Sequence, residues 1–380
     1  MNSGAFLMHG TGRMHRPIEH RDSPGRSWPN VKAAALQIAT ASGIANFFRP
    51  LTKDVGVVFM LHRFAESCEG IAGHSPTSVR ALLAYLRRER HQLVDLTTLL
   101  AAFRGEIPPL RHAVAFTIDD GYHEHASVAA PLFADFDCPV TTFVTTGFLD
   151  GSIWFWWDQI EYVLTQTLAK AIEIEIQNHT VRYDLSGSGL AVRTKAAADV
   201  AARCKALTAQ DRTETIARLA RVAEVSIPPK PPSKYSPMTW SELRRAEQLG
   251  MTFGPHTVTH PFLSRLSDEQ AREEIVGSWT RLRAEATRPV PVFAYPNGQR
   301  GDFGVREFRL LSEAGLTGAV TANVGFVLRE LLRLPNGPFA LPRISFPTSL
   351  PDLIQQVDGL ERFKSWLRGG SAPSLAPHNV

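Results

Sequence analysis

The sequence predicts an α/β protein built on a parallel sheet or barrel, and three observations support that prediction. Apolar, strand-like runs alternate with helical patterns at roughly 25–35 residues per unit over much of the 380-residue chain. Several of these runs end abruptly in polar residues, glycine or proline. A hydrophobic content of 44% and a charged content of 21% are ordinary for a globular protein, so a sizeable core is expected.

In the first half we predict strands over 55–61, 94–96, 115–120 and 140–145, helices over 75–91 and 126–136, and a helical turn over 99–103. The carboxyl ends of parallel strands meet at one edge of a sheet or barrel. His62, the pair Asp119–Asp120 and residues 145–147 all follow strands, so we expect them at that edge.

Residues 158–232 interrupt the alternation and are predicted to form a helical insertion, with one short β-like piece over 172–183 and a proline-rich end. Four aromatic residues precede it, Trp154-Phe155-Trp156-Trp157. We favour the interpretation that they anchor the insertion to the core. The alternative is that they stack on sugar rings, with Trp154 as the candidate.

The alternation then resumes, with strands predicted over 251–254, 291–295, 318–321 and 341–344 and helices over 240–249, 268–286, 305–314 and 353–367. The first 29 and last 12 residues have compositions typical of disorder, and a helix is predicted over 31–48. We therefore divide the chain into an N-terminal segment with a helix, one domain containing the insertion, and a C-terminal helix with a tail, at 1–53, 54–350 and 351–380.

Charge and cysteine content exclude several classes of function. The net charge is +4, and no Lys/Arg tract predicts a nucleic-acid partner. Three widely spaced cysteines form neither a disulfide framework nor a zinc knuckle, which fits a reducing compartment. Because the sequence has neither a signal-peptide core nor an apolar run of about 20 residues, we expect a cytoplasmic protein without a membrane span. Oligomeric state does not follow from these features.

Two groups of polar residues point to chemistry. Asp119 and Asp120 repel each other, so a metal ion or unequal protonation must offset the repulsion, unless the pair only caps a helix. His256 and His260 follow another strand and lie four residues apart. With a carboxylate from a second strand end they predict a two-histidine, one-aspartate site for a divalent cation, either Zn or Co, Ni, Fe or Mn.

These residues carry a family resemblance. The segment 117–121 resembles the T-F-D-D-G motif of the polysaccharide deacetylases (NodB homology, carbohydrate esterase family 4). The segment 256–261 resembles that family's H-[ST]-x-x-H-P motif, and 293–298 is similar to its third motif. The resemblance implies a distorted (β/α)7 barrel and metal-dependent removal of an N-acetyl group from an amino sugar.

Carried over residue by residue, the resemblance implies that Asp120, His256 and His260 hold the metal. It makes Asp119 the general base that takes a proton from the attacking water. The backbone N–H of Tyr295 would help bind the oxyanion, and the residues expected to contact the carbohydrate substrate are Tyr295, Pro296, Asn297 and Trp154.

The chain departs from the family pattern twice. The third motif lacks its usual arginine, and the late L-x-H motif, which supplies the acid, reads Leu341-Pro342-Arg343. His62 is similar to the acid of the biofilm poly-N-acetylglucosamine deacetylases, and Arg343 could pair with Asp119. The alternatives are a backbone-bonded His62 and a purely structural Arg343, and in that case the protein would be slow or inactive.

The expected function is thus a metal-dependent hydrolase that removes N-acetyl groups from oligosaccharide or polysaccharide precursors containing N-acetylglucosamine. The alternatives are a deformylase or another carbon–nitrogen amide hydrolase of the same fold, or a catalytically weak carbohydrate-binding homologue.

Overall fold

A computed structural model describes residues 47–187 and 189–367. The strands of these residues are β1 (Val55–Leu61), β2 (Gln92–Leu93), β3 (Ala113–Asp120), β4 (Val140–Val144), β5 (Ala171–Ile176), β6 (His179–Asp184), β7 (Met251–Pro255), β8 (Val292–Ala294), β9 (Gly318–Val324), β10 (Val327–Leu328) and β11 (Leu341–Ser345). The α-helices are α1 (Pro76–Arg88), α2 (Leu96–Arg104), α3 (Ala130–Ala134), α4 (Thr146–Leu149), α5 (Trp156–Gln166), α6 (Leu190–Cys204), α7 (Ala209–Val222), α8 (Trp240–Gln248), α9 (Asp268–Glu285), α10 (Val305–Glu313), α11 (Leu350–Val357) and α12 (Leu360–Leu367).

Seven strands form a parallel, nearly closed barrel in the order β7-β4-β3-β1-β11-β9-β8. The two end strands approach each other where the Val290 N–H donates to the Phe253 carbonyl at 2.7 Å. Helices surround the barrel, so the predicted distorted (β/α)7 fold is confirmed. All eight residues of β3 are buried, as expected for a strand covered on both faces.

Helix α2 closes the amino end of the barrel. A side chain added at Gly56, near the start of β1, would lie 2.9 Å from the end of the Leu99 side chain, so strand and helix pack closely here. Leu99, Leu100 and Phe103 are buried together with inward-facing strand residues such as Val58. Each such side chain contributes about 1.5–3 kcal/mol of burial. The opposite end, where the strands finish, remains available for a site.

The insertion has an apolar cluster of its own. The β-like piece predicted over 172–183 is an antiparallel hairpin of β5 and β6. Its inward residues pack with α5, α6 and α7 in a cluster that includes Ile160, Ile174, Val200 and Leu219. Alternate residues of β5 are buried, which is typical of a hairpin covered on one face.

The structure corrects three details of the predicted elements. The closing helix is two helices, because Gly359 has φ +90° and a side chain there would lie 2.2 Å from the Phe48 carbonyl oxygen. The helix predicted over 126–136 begins as a π-type turn, His125–Ala129. The strand predicted over 94–96 is Gln92–Leu93 instead.

The short β10, which pairs antiparallel with β1, was not predicted. Most of the helix predicted over 31–48 and the tails over 1–29 and 369–380 lie outside the described residues. Within the described ranges no helix has both the length and the apolar character needed to cross a bilayer.

Candidate active site

The Asp pair lies at the carboxyl end of β3, at the open end of the barrel. Asp120 is the last residue of the strand and has φ +90°, followed by Gly121 at +97°. A left-handed conformation costs a non-glycine residue about 1–3 kcal/mol, and such strain concentrates at functional sites. Thr257, His260 and Asn297 also have positive φ, so four of the non-glycine residues in this conformation lie on the same rim.

Asp120, His256 and His260 converge as predicted. The Nε2 atoms of His256 and His260 lie 3.7 and 3.6 Å from Asp120 Oδ1. His256 Nδ1 is 2.7 Å from the Ala294 carbonyl, so this nitrogen donates and Nε2 keeps its lone pair toward Asp120. The ring of His260 meets the ring of Trp157 edge-on at 4.9 Å, which holds it in place.

The loop that carries both histidines is fixed by one carboxylate. Glu274 of α9 accepts hydrogen bonds from the backbone N–H groups of Val258 and Thr259 at 2.8 and 2.9 Å. Within the loop, Thr257 Oγ1 accepts from the His260 N–H at 3.0 Å. The conformation of the loop that places the two histidines is therefore held by contacts from outside the motif as well as within it.

The donor set fits a divalent cation. Its three ligand atoms lie within 4.8 Å of one another, and metal–ligand distances of about 2.0–2.2 Å bring such atoms around one ion with little movement. Burial lowers the pKa of His256 to about 4, which keeps a lone pair available at neutral pH. Burial, and then the charges of Asp119 and Asp158, raise the pKa of Asp120 well above its usual range. A cation at this position would offset that cost.

Asp119 is held differently from its neighbour. Arg343 donates to both of its carboxylate oxygens at 2.7 Å, and also to Thr117 Oγ1 and to the Thr321 carbonyl. Burial alone would raise the pKa of Asp119, but the charge and hydrogen bonds of Arg343 lower it well below its ordinary value. The two adjacent carboxyl groups therefore have different environments: Asp119 is ionised beside Arg343, and Asp120 faces the histidines.

The Arg343→Met substitution should destabilise the fold strongly. It leaves the Asp119 carboxylate buried without its partner, and breaking such a pair costs about 3–5 kcal/mol. Urea unfolding at pH 7 measures this loss. Arg281→Met is the control, because Arg281 and Asp150 form a half-exposed pair whose removal should cost about 1 kcal/mol or less.

The stability lost in Arg343→Met should become smaller as the pH falls. In the wild type the lowered pKa of Asp119 adds stability that is present above about pH 4 and is lost only below it. In Arg343→Met burial raises that pKa, so the carboxyl takes up a proton on acidification and its penalty disappears. A loss as small as that of Arg281→Met at pH 7, or one that grows toward pH 5, would contradict the assignment of the ion pair.

His62 lies just beyond β1 on the same rim. Its Nε2 is 4.0 Å from Asp119 Oδ2, and its side chain is about half exposed to the cavity at 48%. The backbone carbonyl of His62 accepts from His125 Nε2 at 2.7 Å, so the main chain rather than the ring is tied down. This arrangement leaves the ring able to face a substrate.

The residues predicted to bind substrate are placed unequally. Tyr295 and Asn297 line the cavity, while Pro296 is buried beside them. The Tyr295 N–H donates to the Val320 carbonyl at 3.3 Å, so in this structure it takes part in strand pairing. Trp154 packs against Tyr162 at 5.5 Å and is absent from the cavity wall.

Of the four consecutive aromatic residues 154–157, Trp156 and Trp157 line the cavity and Trp154 does not. The cavity has a volume of about 780 Å³ and is bounded on one side by the barrel rim and on the other by the insertion, including Ala198 and Ala202 of α6. It is large enough for a ligand of oligosaccharide size.

Sequence reasoning missed a further buried carboxyl on this wall, Asp158. Tyr122 donates to Asp158 Oδ2 at 2.8 Å, and Trp157 Nε1 donates to the Tyr122 oxygen at 3.0 Å. Burial raises the pKa of Asp158 to about 7, although the charge of Arg63 opposes the shift. The signal in the sequence is an acidic residue directly after two tryptophans, which are usually largely buried. An aspartate in such a place needs a polar partner.

The chain is similar to one known protein family and to several solved structures. The polysaccharide deacetylase family model matches residues 107–224 and 232–318, more than half of the chain. No curated protein sequence matches significantly. The chain is similar to the deacetylase PplD of Streptococcus pyogenes, with 17% identity and a TM-score of 0.50 over 80% of this chain and 99% of that one.

Two further solved structures are similar at lower scores. IcaB from Ammonifex degensii has 16% identity and a TM-score of 0.48 over 80% of this chain and 96% of that one. The BpsB deacetylase domain from Bordetella bronchiseptica has 14% identity and a TM-score of 0.46 over 76% of this chain and 95% of that one. At such identities the likeness concerns the fold alone, and the family model carries the assignment. The motif resemblance is confirmed, and the chain belongs to the polysaccharide deacetylase family.

Proposed function

We propose that this protein is a metal-dependent hydrolase that removes N-acetyl groups from oligosaccharide or polysaccharide precursors containing N-acetylglucosamine. Asp120, His256 and His260 would hold the divalent cation, and Asp119 would act as the base. The observation that carries the proposal is the buried Asp120–His256–His260 set beside a second, ionised aspartate at the floor of an open cavity. A cytoplasmic location remains a prediction of the sequence.

The chain's own residues divide the work as follows. A divalent cation held at this set would supply Lewis acidity toward an amide carbonyl and an attacking water molecule. Arg343 keeps Asp119 ionised and oriented to accept the proton of the attacking water. His62, on the open side of Asp119, would donate a proton to the nitrogen as the carbon–nitrogen bond breaks, which leaves an amine and acetate.

Mass spectrometry of N-acetylated glycans tests the activity. Metal-loaded protein incubated with N-acetylchitotetraose should give products lighter by one acetyl group in place of a hydrogen, and chelation should abolish them. If N-formyl compounds are hydrolysed and N-acetyl glycans are untouched, the deformylase alternative is correct instead. If neither class is hydrolysed while the glycans bind, the chain is a carbohydrate-binding homologue.

His62→Ala should lower kcat by about 10²-fold with the metal content unchanged, since general acids contribute about 10²–10⁴-fold. Initial rates together with elemental analysis measure both quantities. His123→Ala is the control, because His123 is also half exposed but pairs with Glu242. A wild-type kcat in His62→Ala would place the acid elsewhere, and Asp158 on the same wall would be the next group to substitute.

A further inference from the structure

Three cationic side chains gather where the insertion meets the cavity. Arg212 of α7 lies over the ring of Trp156 at 4.8 Å and over Phe262 at 5.9 Å. Arg265 lies over Phe262 at 4.1 Å, and its Nη1 donates to the carbonyl of Lys205 at 2.8 Å. Trp156, Phe262 and Lys205 all line the cavity. We call Lys205, Arg212 and Arg265 the cationic edge.

The cationic edge has no carboxylate partner among residues 47–187 and 189–367: no ion pair there includes any of its three side chains. Arg212 Nη1 is buried and has no hydrogen-bond partner in the same residues. Burial, together with the charge of Arg265, lowers the pKa of the Arg212 guanidinium. Most other half-buried arginines of this protein do have acidic partners, as Arg63 has in Glu124.

Structural roles account for only part of this group. Arg265 Nη1 also donates to the Leu207 carbonyl at 3.1 Å, so Arg265 satisfies the last carbonyls after α6 and stacks on Phe262. Stacking on Trp156 orients Arg212 but leaves its donors unused. The side chain of Lys205 is exposed, lines the cavity and forms no ion pair in the described ranges. Lys205 thus lines the cavity and Arg212 lies behind the wall residues Trp156 and Phe262, and neither cation has a carboxylate partner in the described ranges. The low-dielectric wall strengthens their field.

We propose that the cationic edge binds an anionic group, a phosphate or a carboxylate, of the glycan whose acetamide reaches the Asp120–His256–His260 set. Lys205 and Arg212 would bind the anion, and Arg265 would add to the positive potential. This inference rests on the proposed function and narrows its substrate class to acidic or phosphate-linked N-acetylated glycans. Guanidinium groups favour such oxyanions because their donors bind two oxygens at once.

Binding measurements with matched probes test the inference. The probes are N-acetylchitotriose, its reducing-end 1-phosphate, and the same trisaccharide oxidised to a carboxylic acid at its reducing end. Calorimetry uses the metal-loaded Asp119→Asn variant, in which hydrolysis does not disturb the titration. Thermal shifts of the wild-type protein with each probe give the same comparison if that variant does not fold.

At least one anionic probe should bind about tenfold more tightly than the neutral one at low salt, since charge-assisted hydrogen bonds are worth about that much. The preference should fall as salt is added. Lys205→Met and Arg212→Gln should each reduce it several-fold. The control is Arg218→Gln, also on α7, because Arg218 faces Glu175 at 4.0 Å instead of the cavity.

The relative affinities of the phosphate and carboxylate probes identify which anion the edge prefers. Equal affinity for neutral and anionic probes in the wild type, or a preference that survives both substitutions, overturns the inference. Hydrolysis of the neutral trisaccharide without any preference would overturn this inference and leave the proposed function intact. A preference for an anionic probe without hydrolysis of any glycan would overturn the proposed function and leave anion binding at the cationic edge intact.

Discussion

Asp119→Asn is expected to lower kcat by about 10³-fold while the protein keeps its metal. The amide cannot accept the proton of the attacking water, and a general base contributes about 10²–10⁴-fold. The metal should stay because its three ligand atoms belong to Asp120, His256 and His260 and none belongs to Asp119. Initial rates on an N-acetylated oligosaccharide and elemental analysis of the same preparation measure the two effects.

A loss of folding must be separated from this result. Asp119→Asn leaves the buried Arg343 guanidinium with a neutral partner, so some stability is lost as well. Urea unfolding at the assay temperature shows whether the variant is folded under the conditions of the rate measurement. Asp150→Asn, which disturbs a half-exposed pair with Arg281, is the control for removing a carboxylate. Wild-type turnover by folded Asp119→Asn would remove Asp119 from the role of base.

Asp120→Asn and His260→Ala are expected to lose the metal itself, and with it all measurable turnover. Each removes one of three protein ligands, and even groups that only orient ligands change affinity by about 10–100-fold. We therefore expect a weakening beyond about 100-fold, which leaves the purified protein largely metal-free. Elemental analysis before and after dialysis against a weak chelator measures it.

The matched control is His179→Ala, on the exposed hairpin of β5 and β6, which should keep the wild-type metal content. The contrast with Asp119→Asn is the sharper test. If Asp119→Asn, Asp120→Asn and His260→Ala all retain the same amount of metal, then the division between ligands and base is wrong.

The fold and the convergence at the site could be predicted because the information is local. Asp120 directly ends a buried strand and His256 directly follows another. In a parallel barrel all such positions lie on one rim, so the strand pattern places these residues at the same end of the barrel. The apolar runs are long and uniform enough to define that pattern.

The remaining parts of the site depend on geometry that the sequence does not carry. Glu274 lies in the middle of α9, and nothing in a helix of this kind tells which carboxylate turns toward a loop. Among four consecutive aromatic residues, the choice of Trp156 and Trp157 over Trp154 depends on where α5 begins. The pairing of Arg343 with Asp119 was a candidate only, since strand order across the sheet decides it.

That strand order couples synthesis of the chain to its chemistry. Arg343 follows Asp119 by 224 residues, and β11 is inserted between β1 and β9. A ribosome therefore makes Asp120, His256 and His260 long before it makes the strand that carries Arg343, the partner of Asp119. A nascent chain that stops short of β11 contains the whole ligand set, but its sheet is divided and Asp119 lacks its arginine. If Asp119 is the base as proposed, the last strand among the described residues is thus the one that completes its environment.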